Sequence, residues 1–346
     1  MTAAAIKADQ GRRSLFRRVA GALGAENIGL LLALVAVLVL FGSLSPRFLS
    51  MATFDSVAFQ LPELGLLTLA MLMPIISGGI NLSVTFTANL CGLTLAWVLQ
   101  ANGGPDASVF AFIAGSILAL GVGTTTGLVM GPVIAYTGAH PILVSLSMMI
   151  FLRGLGEFLT RGADISGFPE FIQPLGHGSL WGLPIPLLIL LVAVALWHVL
   201  MTRTRLGFAN YMVGSNIEAA RYSGLPTRRV VVLIYALSGT MCAVAGIIMT
   251  ARFNSVRVGH GESYVLITVL ACFLGGVNPF GGFGRVVSVF LALVILQLLS
   301  SGLNLLGASQ HLATALWGVL LIVVMVLRWL AGQLHFLRIS RVEPTT

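Results

Sequence analysis

The chain has 346 residues, of which 57% are hydrophobic and only 9% charged, and its mean hydropathy is +1.00. Soluble domains carry roughly 25% charged residues, so there is too little polar surface here to wrap a water-soluble body, and lipid is the remaining solvent. The net charge is +8, but the basic residues sit between apolar segments rather than on one face, which argues against a nucleic-acid partner and fits topology-setting loops.

Residues 1–27 form a basic leader with Lys7, Arg12, Arg13, Arg17 and Arg18. A first apolar run covers 28–45. It reads either as an uncleaved span or as a signal peptide with Ser43-Leu44-Ser45 as a small-x-small cleavage site; the long leader and long run fit the span better. A bilayer span needs about 20 predominantly apolar residues. Further runs lie near 60–79, 82–100, 109–135, 141–160 and 183–201. A polar stretch at 202–229 interrupts them. Runs near 230–250, 263–277, 286–305 and 311–330 follow, then a tail at 331–346. The expectation is an all-α polytopic membrane protein of about ten transmembrane helices, with a membrane domain over 28–330.

Charge sets the sides. With the N-terminus in the cytoplasm, fourteen of the 19 Lys and Arg fall inside, including Arg203, Arg205, Arg221, Arg228, Arg229 and Arg285. Arg47, Arg153, Arg161, Arg252 and Arg257 lie outside or toward that face. This is the Lys/Arg bias of cytoplasmic loops, and it puts both leader and tail in the cytoplasm. The external loop near 161–182 carries Asp164, Glu170, Pro169 and Pro174; short irregular structure is expected there, serving either as a docking face or as a solvated connection. A short internal repeat pairs Ser77-Gly78-Gly79-Ile80-Asn81 with Leu274-Gly275-Gly276-Val277-Asn278. Interrupted segments at corresponding places point to a transport pathway.

Motifs for chemistry are scarce. No G-x-x-x-x-G-K-[ST] loop is present, and the only lysine, Lys7, is in the leader. The chain therefore has no P-loop for ATP. No zinc-protease or nucleophile-elbow motif gives an enzyme reading support. Cys91, Cys242 and Cys272 lie singly in apolar runs, as small buried hydrophobes do, so no metal or cofactor site is expected. Arg153 and Glu157 stand four apart in a span and share a helix face, either as a pathway contact or as a structural pair near its outer end. Mid-span polar residues are otherwise neutral, which suits an uncharged polar solute moved by energy supplied elsewhere. Asn81, Ser83, Thr85, Asn89, Asn278 and Asn304 are the pathway candidates. The Gly78-Gly79 break, followed by Asn81 and Ser83, is either a capped turn or a solute contact.

The 202–229 stretch contains a short helix by its signals. Asn216 is an N-cap, Glu218 sits in the first turn, and Gly224 with Pro226 ends it. It is either a solvated loop helix or a docking knob for a cytoplasmic subunit.

These residues resemble a known family. Asn216-x-Glu218-Ala219-Ala220-Arg221-Tyr222-Ser223-Gly224-Leu225 resembles the coupling-helix region of ribose-type ABC sugar importer permeases. Gly78-Gly79-Ile80-Asn81-Leu82-Ser83-Val84 resembles their GGIDLSV motif, with Asn81 where the family usually has Asp and Thr85 where it often has Gly. Pro141-Ile142-Leu143-Val144 with Met148 and Arg153-Gly154-Leu155, then Ile165-Ser166-Gly167-Phe168-Pro169, are similar to later family motifs. Leu274-Gly275-Gly276, Gly281-Gly282-x-Gly284-Arg285 and Ser301-Gly302-Leu303-Asn304-Leu305-Leu306-Gly307 match its C-terminal part, and the resemblance covers about 40–330. It implies two permease subunits, alike or related, and ATP-binding subunits that hold ATP and Mg²⁺ and dock on residues 216–224. It also implies a soluble external protein that delivers the solute. A monosaccharide is the implied cargo, with a nucleoside or another small polar metabolite as alternatives. A stand-alone secondary carrier would instead need mid-span acids.

Overall fold

The computed structural model describes residues 27–309, 312–313 and 315–326. The basic leader before Asn27, the tail at 331–346 and the end of the last apolar run lie outside the described residues. The helices in chain order are α1 Asn27–Leu44, α2 Met51–Ile76, α3 Val84–Ala101, α4 Val109–Thr137, α5 Pro141–Thr160, α6 Gln173–His177, α7 Ile185–Arg203, α8 Arg205–Ser215, α9 Ile217–Tyr222, α10 Thr227–Phe253, α11 Tyr264–Leu274 and α12 Val286–Leu305, then α13 Ala315–Val326. Two small antiparallel pairs complete it. β1 (Ile165–Ser166) pairs with β4 (Ser255–Val256), and β2 (Ser179–Leu180) with β3 (Leu183–Pro184).

The protein is a helical, polytopic membrane protein. Every expected apolar run contains a helix. Among the described residues, eight of these are long and apolar enough to span. Of the other two, α13 runs to the edge of the described residues, and α11 has 11 residues, about 16 Å at 1.5 Å per residue, or half a bilayer core. It covers most of the 263–277 run, and the backbone ahead of it, 254–263, is irregular rather than helical. Helix α8 was not anticipated in the polar 202–229 stretch.

Helix α2 is the hub. It is apolar on all sides, and 89% of its spanning window is buried, against 17% for α1 and α5. Such all-round apolarity is what a central helix needs. It carries two internal prolines, Pro62 and Pro74. Pro74 has no N–H to give the Ala70 carbonyl, four residues back. Ser238 Oγ of α10 donates to that carbonyl instead, at 2.7 Å. Helices α4 and α10 meet backbone to backbone. Gly123, Gly127 and Gly131 recur every four residues on α4, and a methyl group on Gly127 or Gly131 would lie 2.8 Å from Ala236 Cα or Val232 Cα. Small residues at this spacing let membrane helices approach closely.

The loops segregate as the charge count expects. Residues 77–83, 138–140, 204–226 and 275–285 gather at one end of the bundle, where the Gly78, Gly214 and Gly281 backbones touch. The 161–184 loop and the 254–263 segment gather at the other. There β1 pairs with β4, and His177 Nε2 lies 2.7 Å from the Arg252 carbonyl. The 161–184 loop is thus a folded cap on the helices rather than a loose connection.

Candidate functional site

The first neighbourhood is where α2 ends. Ser77, Gly78 and Gly79 close its last turn through bonds to the Met73, Ile75 and Pro74 carbonyls, with Gly78 at φ +87°. At the end of α11, Gly275, Gly276 and Val277 bond back to Ala271, Phe273 and Cys272, with Gly276 at φ +87°. Both are left-handed glycine caps with the same bonding pattern. The repeat seen in the sequence is therefore real in the backbone but shifted by one residue: Gly78 corresponds to Gly276, so Asn81 and Asn278 are not equivalent positions.

Asn81 is buried. Its Nδ2 donates to Ser238 Oγ at 2.9 Å, and its Oδ1 accepts from the Ser83 N–H at 3.1 Å and the Ser83 hydroxyl at 2.7 Å. A chain of bonds thus runs from the carbonyl freed by Pro74 through Ser238 to Asn81 and Ser83. It ties α2, α3 and α10 together where α2 gives way to α3. Ser145 of α5 joins it by donating to the Ile80 carbonyl at 2.8 Å. Thr85 is also fully buried, and its hydroxyl has no hydrogen-bond partner among the described residues.

Helix α8 is packed against this joint. Asn210 Nδ2 donates to the Met73 carbonyl at 3.2 Å, and Tyr211 Oη to the Gly284 carbonyl at 2.7 Å. Burial pushes the Tyr211 hydroxyl above its ordinary pKa, partly offset by nearby Arg285, so it stays a donor. The Gly282 N–H donates to the Ile76 carbonyl at 2.8 Å, and Gly214 lies against both groups. Asn278 closes the 275–285 loop, its Oδ1 accepting from Phe280 N at 3.1 Å.

Helix α9 follows at once. Asn216 Oδ1 accepts from Ala219 N at 2.9 Å, Glu218 pairs with Arg221 at 3.2 Å, and Gly224 takes φ +79° after the last turn. The expected cap, first-turn acid and terminator are all in place. Ala220 is buried against the body, whereas Glu218, Ala219, Arg221, Tyr222 and Ser223 are exposed, Tyr222 by 89%.

The third neighbourhood lies toward the other end. Arg153 and Glu157 of α5 form the expected pair at 3.0 Å, and Arg153 also reaches Glu262 at 2.8 Å. All three remain about half exposed. Arg153 stands 12 residues into α5, about 18 Å along the helix, well inside the span. Glu262 belongs to the irregular 254–263 segment. Asn89 of α3 secures that segment from behind by donating to the Val258 carbonyl at 2.5 Å and the His260 carbonyl at 3.0 Å. Here one side rests on α3, and the other carries exposed charge.

Asn304 stands apart from this group. With Arg47, Ser56, Gln60 and Ser301 it lines a cavity of about 370 Å³ between the start of α2 and the end of α12. One ionic site was missed by sequence reading. Glu63 of α2 is buried, pairs with Arg252 of α10, and accepts from Tyr264 Oη of α11 at 3.2 Å. An acid inside the 60–79 run is the signal in the sequence; its partner Arg252 lies just past the end of the 230–250 run.

Comparison with known proteins places this arrangement. A family model described as branched-chain amino acid transport system / permease component matches residues 53–325. The chain is 34% identical over 316 residues to the autoinducer 2 import system permease protein LsrD of Yersinia enterocolitica, covering 88% of this chain and 93% of that protein. It is 31% identical over 318 residues to the protein of the same name from Photorhabdus temperata, covering 90% and 93%. With that of Yersinia pseudotuberculosis it shares 33% over 310 residues, covering 88% and 91%. No solved structure matches.

Proposed function

The chain belongs to the permease-component family of branched-chain amino acid transport systems, and from that premise we propose that it is one membrane half of an ATP-driven importer for a monosaccharide or a polyol of similar size. It is a multi-pass inner-membrane transport subunit, and its family implies an ATP-binding subunit and a substrate-binding protein as partners. The cargo is inferred from the relatives' names, which specify autoinducer 2 import, and from the neutral hydroxyls and amides along the helices. A nucleoside would meet the same neutral lining. In this reading the chain crosses about ten times with both termini in the cytoplasm, and ATP and Mg²⁺ stay on the partner.

One observation carries the pathway. The exposed Arg153–Glu157–Glu262 cluster joins the outer half of a peripheral spanning helix to the irregular segment at that end. Exposed charge facing lipid is costly, so this face borders water, and solute passes along it. The rest of α5 exposes Leu143, Ile150, Phe151 and Phe158, with Gly154 open to its surroundings. A second permease, identical or related, completes the channel there. Asn81, Ser83 and Thr85, buried at the other end of the bundle, brace the helices that the solute passes. Trp181, 97% exposed at the β2–β3 tip, is the anchor for the external binding protein.

Residues 216–224 dock the ATP-binding subunit. Movement of α9 passes through α8 to the Gly214 contact, and so to the end of α2 and the 275–285 loop. The test is labelling of Glu262→Cys in the assembled transporter with a membrane-impermeant maleimide. Labelling that solute or ATP alters supports the pathway; a site unlabelled from both sides in every state refutes it.

A further inference from the structure

At the same end of the bundle as the docking helix, Tyr136, Arg221, Thr227, Arg228 and Arg229 line a cavity of about 560 Å³. Three guanidinium groups from two elements converge on it. Arg221 is shared with Glu218. Arg228 lies over the Tyr136 ring, 5.2 Å from its centroid, a cation–π contact that orients the group without neutralising it. Neither Arg228 nor Arg229 has a carboxylate partner among the described residues. Two uncompensated positive charges thus flank one concave site.

Its height matters as much as its charge. Tyr136 is the last residue but one of α4, and Thr227 is the first residue of α10. The cavity therefore sits where two spans leave the hydrocarbon, at the level of lipid headgroups. Tyr and Arg are the residue types that settle there. The leaflet on the cytoplasmic side is rich in anionic lipid, and basic pockets between helices on that side bind its headgroups.

We propose that this cavity holds the phosphodiester headgroup of an anionic phospholipid from the cytoplasmic leaflet, clamped between α9 and the start of α10. This rests on the orientation given above for the importer. The bound phosphate bridges Arg221 on the docking helix to Arg228 and Arg229 on a spanning helix. It braces α9 against the membrane, and ATPase coupling becomes sensitive to lipid charge.

The test uses the complete transporter in nanodiscs, with phosphatidylglycerol or phosphatidylcholine as the probe lipid. Native mass spectrometry counts retained lipid, and ATP hydrolysis is followed in parallel. The wild type is expected to retain phosphatidylglycerol at least five-fold over phosphatidylcholine. Arg228→Gln with Arg229→Gln should abolish that preference, whereas Arg203→Gln, exposed at the same end but outside the cavity, should keep it. Equal retention of the two lipids by the wild type overturns the proposal, and that comparison decides the matter even if the double variant fails to assemble. Loss of the ATP-binding subunit with unchanged lipid retention also overturns it, and gives the cavity to the protein partner. Solute uptake by the wild type is read separately, so a failed lipid result leaves the importer reading standing.

Discussion

Gly214→Ala isolates the link between the docking helix and the end of α2. A methyl group on Gly214 would overlap the Ile76 carbonyl and come 2.5 Å from Gly282 N. Both obstacles are backbone, so no side chain can swing away, and α8 must retreat by about 1 Å or more from atoms that tolerate no carbon closer than about 3 Å. Overpacking of this kind costs about 1–3 kcal/mol. The Gly282 N–H to Ile76 bond crosses the same contact, and its loss adds about 1 kcal/mol. The expected result is a lower melting temperature and at least ten-fold slower uptake, while the ATP-binding subunit still co-purifies because α9 is untouched. Gly121→Ala is the control, since nothing lies within 4 Å of a methyl group there. Wild-type uptake by Gly214→Ala would show that α8 does not carry the coupling.

Asn216→Ala removes the α9 cap and should cost about 1 kcal/mol; the ATP-binding subunit should co-purify more weakly, and Asn216→Asp should restore it. Glu63→Leu strands the partly buried Arg252, and since breaking a fully buried pair costs about 3–5 kcal/mol, a loss somewhat below that is expected; thermal unfolding in detergent should show it, with much of it recovered when Arg252→Met is added. Arg153→Ala acts on exposed groups, so the melting temperature should hold while uptake falls at least ten-fold. Gly154→Cys should give an oxidative cross-link between permeases along α5, and its absence under conditions that preserve the complex counts against that interface.

Much of this architecture was legible because lipid imposes strong rules. Spans announce themselves by length, and the charge count grouped loops that the structure does bring together at common ends. The Asn216 cap and the Arg153–Glu157 pair were readable because both are local, spanning three and four residues. What escaped was set by distant contacts. Helix α8 is too short and too mixed in composition to stand out as a span, and it is held as a helix because Thr204 caps it and Asn210 finds the Met73 carbonyl. The Glu63–Arg252 pair joins residues 189 apart in sequence. The one-residue shift between the glycine repeats is invisible to letter matching, because the backbone aligns by hydrogen bonds. Asn81 could be singled out from sequence, but its tie to Ser238 depends on a carbonyl freed by Pro74.

The central claim is that this chain moves solute only as part of an ATP-driven assembly. It is tested most directly in proteoliposomes holding the permease pair and the ATP-binding subunit, with the binding protein and a panel of labelled monosaccharides outside. The account predicts accumulation that requires both internal ATP and the binding protein. Accumulation by this chain alone, driven by a proton or sodium gradient without ATP, would contradict it.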